Sequence, residues 1–298
     1  MKGTIVVMNK VMAAVAASAC AVSLTGLAVA AENASVERPA AEAVILEEEE
    51  DAPLFEAGVD LDCFTAYVWR NTVQTDKPVF QPCVWADFTA LEPFWFGFSY
   101  WQNWDLSSDR KDVFRRRLNE SDYNVHAGAT AWESGDGDLS VAFEAGHDWY
   151  TYHMDRDRQS PSTRELYLKG TFANPLVNVY GLCTWMYDDV GEYDSGFYYE
   201  IGFSREIELT DSLTLGADWN VGLADDDYVS FLIDDVGGGF VGTTFKAYLS
   251  WAVTDWLSLV GTIAYTGILD EDARRYYNGE DKDLKDTLWG GLSAKFSF

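Results

Sequence analysis

The chain has 298 residues, of which 48% are hydrophobic and 23% charged, and its formal net charge is -28 at pH 7. So large an excess of acid argues against nucleic acids and anionic lipid headgroups as partners. Aromatic residues make up 15% of the chain, which excludes disorder throughout. The length is sufficient for one large domain.

Residues 1–30 have the anatomy of a secretory signal peptide. Lys2 and Lys10 precede an apolar stretch that ends in an A-x-A cleavage site at Ala28–Ala30. Two alternatives remain open, a retained helical anchor and a lipoprotein with an acylated Cys20. Polar residues interrupt the apolar stretch, and it continues beyond Cys20, so we expect a cleaved signal peptide and export.

Residues 31–57 form a second region that is rich in Ala and Glu, with an acidic run from Glu47 to Asp51. Such a charge run is usually solvated, so we expect a disordered acidic periplasmic segment. A docking role in the periplasm is the alternative.

Residues 58–298 alternate between apolar and polar side chains with a period of two, which is typical of β-strands. In one segment Phe94, Phe96, Phe98 and Tyr100 alternate with small or polar residues. About twelve such segments predict an all-β fold, a transmembrane up-and-down antiparallel β-barrel. No segment after the signal offers the roughly 18 uninterrupted apolar residues that a spanning helix needs.

The connectors between these segments alternate in length. The short connectors are residues 91–92, 133–138, 173–175, 208–212 and 254–255. The long connectors are residues 71–78, 104–122, 153–163, 188–195, 224–239 and 270–286. Short periplasmic turns and longer extracellular loops are the rule in outer-membrane barrels. The pattern therefore predicts an even number of strands with both chain ends in the periplasm, which a soluble antiparallel sheet does not require.

Charged side chains within the strands share the less apolar face, because Arg or Lys facing lipid near the midplane costs about 2 to 4 kcal/mol. The exceptions, Arg70, Arg164 and Arg205, lie at strand ends, where they can reach water or headgroups. We predict that this face lines a pore. Its charged members are Asp87, Glu144, Glu165, Lys169, Glu200, Asp218, Lys246 and Lys295. Trp85, Trp95 and Trp132 have the same parity, which means that they occupy the same alternate strand positions as these charged residues. They would narrow the lumen or stack on a solute. The excess of acids over lysines predicts a weak preference for cations.

In the last segment, from Leu288 to Phe298, apolar side chains continue at every second position up to the final residue. Phe296 and Phe298 resemble the C-terminal strand signal that the barrel assembly machinery recognises, so we expect that machinery to be a partner.

Three cysteines, Cys63, Cys83 and Cys183, remain after export. A first hairpin centred near Val73 places Cys63 opposite Cys83, which permits a cross-strand disulfide in an oxidising periplasm. The strict geometry of cross-strand bonds leaves free thiols as the alternative. We predict no metal site and no cofactor.

The opening hairpin carries a family resemblance. The run Thr65–Arg70, followed by Lys77–Pro82, resembles the first hairpin of the TorF-type family of outer-membrane porins. Asn71 stands where that family usually has Gly, and Asn also accepts the left-handed conformation of a turn. The resemblance implies a porin-like barrel and leaves the solute open. For Arg70 it implies either orientation of the first extracellular loop or a headgroup contact at the rim.

We therefore predict an outer-membrane, porin-like channel for passive diffusion of small solutes, surrounded by lipid and lipopolysaccharide. The alternative is a structural or adhesive barrel whose acidic loops bind divalent cations or partners. Those loops contain Asp225–Asp227, Asp234–Asp235 and Asp270–Asp272. We do not predict an enzyme, since His153, Asp155 and Ser160 form the one candidate cluster and such spacing is common in polar loops.

Overall fold

The computed structural model describes residues 55–107, 118–153, 162–188, 194–232, 237–269 and 286–298. The predicted signal peptide lies outside the described residues, as do most of the acidic segment and the clusters Asp234–Asp235 and Asp270–Asp272.

The described residues form a closed antiparallel barrel of twelve strands with a two-stranded hairpin. The barrel strands are β1 (Phe55–Phe64), β4 (Val79–Leu91), β5 (Phe94–Asp105), β6 (Leu118–Glu133), β7 (Ser140–Tyr152), β8 (Ser162–Ala173), β9 (Asn178–Met186), β10 (Gly196–Thr210), β11 (Leu213–Ala224), β12 (Gly239–Thr254), β13 (Leu257–Ile268) and β14 (Thr287–Ser297). The hairpin consists of β2 (Tyr67–Trp69) and β3 (Thr72–Thr75), and helix α1 (Asp226–Leu232) follows β11. Strand β1 pairs with both β4 and β14, which closes the barrel and confirms the predicted fold.

The outer surface of the barrel is an apolar belt. Its side chains are widely exposed, including Leu168 at 55%, Ile263 at 57% and Leu292 at 71%. A belt of this kind would promote aggregation in water, whereas hydrocarbon chains solvate it. The barrel therefore spans a membrane, and its closed antiparallel architecture is that of the bacterial outer membrane. Among the helices that the structure describes, none is long and apolar enough to cross a membrane.

The structure confirms that short and long connectors alternate and that β1 begins and β14 ends at the short-turn end. Short turns join β4 to β5, β6 to β7, β8 to β9, β10 to β11 and β12 to β13. They lie at the same end of the barrel as Phe55 and Phe298, and the longer connectors leave from the opposite end. By the rule for outer-membrane barrels, the turn end is periplasmic and the loop end is extracellular.

The first barrel strand differs from the prediction. The connector expected at residues 71–78 would extend the first strand to Arg70, but β1 begins at Phe55 and ends at Phe64, where it pairs with Val79. Residues 65–78 instead contain the separate β2–β3 hairpin. Alternation is the same in a strand that faces lipid and in one that packs inside a barrel, so the period alone did not distinguish them.

The disulfide expected between Cys63 and Cys83 is wrong. Cys63 pairs with Phe80, whereas Cys83 pairs with Asp60. Paired residues share a face of the sheet, so the two thiols lie on opposite faces, and both are free. The error follows from the misplaced first strand, because moving β1 toward the N-terminus changes the partner of Cys83.

Candidate functional site: the lumen and its inward hairpin

The β2–β3 hairpin lies inside the barrel. Its turn residues Arg70 and Asn71 have φ angles of 49° and 61°, the left-handed pair of a type I′ turn. The left-handed conformation expected for Asn71 is confirmed. Arg has no such preference, so contacts with the barrel must hold Arg70 in place.

Arg70 is held by a buried ion pair. Its Nη2 donates to Oε2 of Glu165 at 2.8 Å, and the Glu165 side chain is fully buried. Burial alone would lower the pKa of Arg70, but the Glu165 carboxylate and the surrounding tyrosines together outweigh that effect, and the pKa lies well above its ordinary value. Arg70 therefore binds the inner face of β8 as a cation. The family resemblance implied orientation of the first extracellular loop or a headgroup contact at the rim, and neither role includes this buried ion pair.

Glu165 also accepts hydrogen bonds from two other elements. The hydroxyl of Tyr150, on β7, donates to it at 3.1 Å, and that of Tyr228, on α1, donates at 2.5 Å. Burial raises the pKa of Tyr228 well above its ordinary value, so this hydroxyl remains a donor. One carboxylate thus connects the hairpin and α1 to the barrel wall.

The turn residue Asn71 binds β10, two strands from β8 in the barrel wall. Its Nδ2 donates to the hydroxyl of Tyr198 at 2.9 Å and to Oε2 of Glu200 at 3.1 Å, both on β10. The backbone oxygen of Asn71 lies against Gly242 of β12, where a Cβ atom would collide with it. The hairpin tip therefore fits against β12 only because a glycine stands there.

Aromatic rings pack the remaining faces of the hairpin. Tyr67 lies 5.5 Å from Trp101 of β5, measured between ring centroids. Trp69 lies 5.4 Å from Tyr150 and 6.1 Å from Phe231. With the bonds to β8 and β10, these contacts show that the hairpin crosses the lumen in its extracellular half.

The acidic cluster Asp225–Asp227 has a structural role at the start of α1. Oδ1 of Asp225 accepts the backbone N–H of Tyr228 at 2.9 Å, and Oδ2 accepts that of Phe197 at 2.8 Å. Such bonds satisfy free donors at a helix N-terminus. Within the described ranges, no three His, Cys, Asp or Glu side chains are grouped to hold a metal ion.

The structure places the predicted pore residues on the inner face of the barrel. Asp218 lies opposite Lys246 and forms an ion pair with it at 2.7 Å, while Glu144 lies opposite Lys169. The remaining inward side chains of the predicted set are Asp87, Glu165, Glu200, Lys295, Trp85 and Trp95. That they line an open pore remains a prediction.

Trp132 does not belong to this face. The pairing of β6 with β7 shifts register between Thr130 and Trp132, so Trp132 pairs with Val141 on the lipid side and is 49% exposed. A β-bulge of this kind reverses the parity of the residues beyond it.

Sequence reasoning missed several inward acids. They are Asp60, Asp62, Glu120, Asp122 and Asp148. The first two were hidden by the misplaced first strand, and the next two fell in a segment assigned to a connector. Asp148 has the parity of Glu144 on the same strand, and that signal would have identified it.

A cavity of about 480 Å³ lies beside the hairpin tip. Arg70 and Asn71 contribute to it from the hairpin. The barrel wall contributes polar and aromatic side chains, among them Lys169, Tyr180, Glu200, Asp218, Asn220, Lys246 and Trp289. Lys169 follows Glu165 along β8, toward the short turn, so the cavity extends to the periplasmic side of the tip.

Neither a family model nor a curated protein matches the chain. Among solved structures, the NanC porin is similar with a TM-score of 0.49 and 9% identity over 80% of this chain and 98% of that chain. The KdgM porin has a TM-score of 0.43 and 10% identity over 82% of this chain and 99% of that chain. Outer membrane phospholipase A from Escherichia coli has a TM-score of 0.45 and 11% identity over 81% and 92%, respectively. These likenesses concern barrel architecture, and membership of the TorF-type family remains a prediction.

Proposed function

We propose that this protein is an outer-membrane, porin-like channel for the passive diffusion of small solutes, narrowed by the β2–β3 hairpin. The observation that carries the proposal is an inner face rich in charges within a closed barrel. The inward side chains of Lys246 and Asp218 are 39% and 26% exposed. Charged groups that remain accessible inside the barrel support a hydrated lumen.

We also propose a weak preference for cations. Arg70 is paired with Glu165, Lys246 with Asp218, and Lys295 lies 4.0 Å from an oxygen of Asp60. The other inward acids outnumber the remaining lysine, Lys169. Acids that line a narrow passage raise the local concentration of cations, so these side chains favour cation passage.

The test is single-channel recording of the refolded mature protein in a planar bilayer, with the reversal potential measured across a KCl gradient. We expect discrete openings and a reversal potential displaced toward that of K⁺. A barrel that shows heat-modifiable mobility on a gel but conducts no ions would keep the fold and overturn the channel.

A second candidate, a structural or adhesive barrel, is favoured by the packed aromatic rings around Trp69. A lumen closed by such packing would conduct no ions, so the same recording separates the two. Lipopolysaccharide bound through divalent cations is the partner that this candidate requires, and release of the protein by a chelator is its positive test.

Export and assembly complete the proposal. We propose cleavage after Ala30, a disordered acidic segment in the mature protein, and recognition of Phe296 and Phe298 by the barrel assembly machinery. N-terminal sequencing of the mature protein tests the cleavage. Deletion of Phe298 tests the signal, since an assembly role predicts less folded barrel in cells and unchanged refolding in detergent.

A further inference from the structure

The carboxylates that line the cavity beside the hairpin tip already have partners. Oδ2 of Asp218 lies 2.7 Å from Nζ of Lys246. Glu200 accepts hydrogen bonds from the hydroxyl of Tyr180 at 2.6 Å, the hydroxyl of Tyr198 at 2.7 Å and Nδ2 of Asn71 at 3.1 Å. Lys246 therefore compensates the charge of Asp218, and three neutral donors occupy the oxygens of Glu200.

Lys169 is different, because its charge is not compensated by an ion pair with any residue that the structure describes. Its Nζ lies 5.5 Å from the centroid of the Tyr180 ring, and the side chain is half-buried. The acid opposite Lys169, Glu144, accepts a hydrogen bond from Tyr167 at 2.9 Å. A partly desolvated ammonium that faces a cavity favours an anionic group of a ligand.

Asn220 offers the complementary group on the other side of Tyr180. Its side chain lines the cavity and is half-buried. Nδ2 donates to the Tyr180 hydroxyl at 3.4 Å, a long bond that leaves this group able to donate to a ligand hydroxyl as well. The Tyr180 ring between the two groups offers an apolar surface to the carbon skeleton of a ligand.

We propose that this cavity is a binding site for small hydroxylated carboxylates, a ligand class that includes sugar acids. Lys169 would bind the carboxylate and Asn220 a hydroxyl group. The volume of about 480 Å³ lies within the range of pockets that enclose small molecules. The inference rests on the proposed channel, since it makes the cavity a stopping point for solutes below the hairpin. The weak cation preference is a property of the whole acidic lumen, whereas the ammonium of Lys169 acts at contact distance within the cavity.

The test measures binding of sodium D-gluconate to the refolded barrel in detergent micelles, by saturation-transfer NMR titration. D-glucose serves as the neutral ligand of similar size. We expect saturable binding of gluconate and binding of glucose weaker by about tenfold, the usual effect of one charge-assisted contact. Equal binding of the two ligands would overturn the assignment.

Lys169→Gln removes the ammonium, and we expect it to weaken gluconate binding by about tenfold. Lys169→Arg keeps the charge and should retain most of the affinity. Lys295→Gln is the matched control, because it removes the same charge from the inner face but lies near Asp60, outside the cavity. Equal losses in Lys169→Gln and Lys295→Gln would show a general field effect and overturn the site.

Asn220→Leu provides a second, independent variant. It should weaken gluconate and glucose alike, since both ligands offer hydroxyl groups, and unchanged binding of both would contradict the role of Asn220. Heat-modifiable mobility confirms that each variant is folded. Because the titration needs no conduction, a conducting barrel without gluconate binding overturns the site alone, and a silent barrel that binds gluconate overturns the channel alone.

Discussion

The extracellular and periplasmic halves of the lumen are built from the same strands but are filled differently. In the extracellular half, Tyr198, Met186 and Tyr228 are fully buried beside the hairpin and α1. On the periplasmic side of the hairpin tip, the side chains of Lys246 and Asp218 are 39% and 26% exposed. The inward segments, not the barrel strands, thus decide where the lumen is filled.

The largest expected effect comes from the carboxylate that holds the extracellular half together. Glu165→Ala would leave Arg70 buried without its partner, and breaking a buried pair in this way costs about 3 to 5 kcal/mol. We expect the hairpin to leave the lumen and the single-channel conductance to rise several-fold. Asp218→Asn is the control, because it also removes an inward acid but breaks a partly exposed pair worth about 1 kcal/mol or less and leaves the Arg70–Glu165 pair intact. It should not raise the conductance several-fold. Equal conductance of wild type and Glu165→Ala would show that the hairpin does not limit the current.

The second effect comes from the fit of the hairpin against β12. Gly242→Ala places a Cβ atom against the backbone oxygen of Asn71 and should weaken the docked hairpin by about 1 to 3 kcal/mol. The measurement is the rate of trypsin cleavage after Arg70, which is protected while the side chain is buried. Gly261→Ala is the control, because its Cβ would meet only Leu292 at 3.8 Å. Equal cleavage rates in these two variants would contradict the tight fit.

A smaller effect separates turn conformation from side-chain contacts. Asn71→Gly keeps the left-handed conformation but removes the bonds to Tyr198 and Glu200. The two bonds are worth about 1 kcal/mol each, but Gly is favoured over Asn at this position of a type I′ turn and offsets part of the loss. Cleavage after Arg70 should therefore accelerate less than in Gly242→Ala. Protection above the wild-type level would mean that the turn conformation, not the contacts, limits docking.

The smallest effect lies outside the lumen, in the turn after β6. A hydrogen bond from Ser134 at 2.5 Å lowers the pKa of Asp136 below its ordinary 3.8. A lowered folded-state pKa adds stability above the unfolded-state value, and this contribution is lost as the pH falls through the folded-state value. Ser134→Ala should therefore raise the pKa of Asp136 in an NMR titration and leave conductance unchanged. A conductance change would show that the periplasmic turns influence the passage.

The barrel itself was predictable from local patterns. Period-two alternation identified the strands, and connector lengths identified the two ends, because lipid on one face and water on the other impose the same rule on every strand. That rule also placed Lys169 and Glu200 on the inner face. It failed at Trp132, where a bulge reverses the parity, and at Asp60, where the first strand was misplaced.

The sequence by itself determined an exported, acidic chain whose alternating segments close into a barrel with charges inside. It also indicated a left-handed residue at Asn71. Only the tertiary structure decided that residues 65–78 turn inward, that Arg70 pairs with Glu165 and that Cys63 and Cys83 face opposite sides. The physical reason is that alternation shows that the two faces of a strand differ in polarity. It does not show whether lipid, water or another segment of the chain covers each face. Contacts between residues as distant along the chain as Arg70 and Glu165 form only when the closed barrel brings their strands around one lumen.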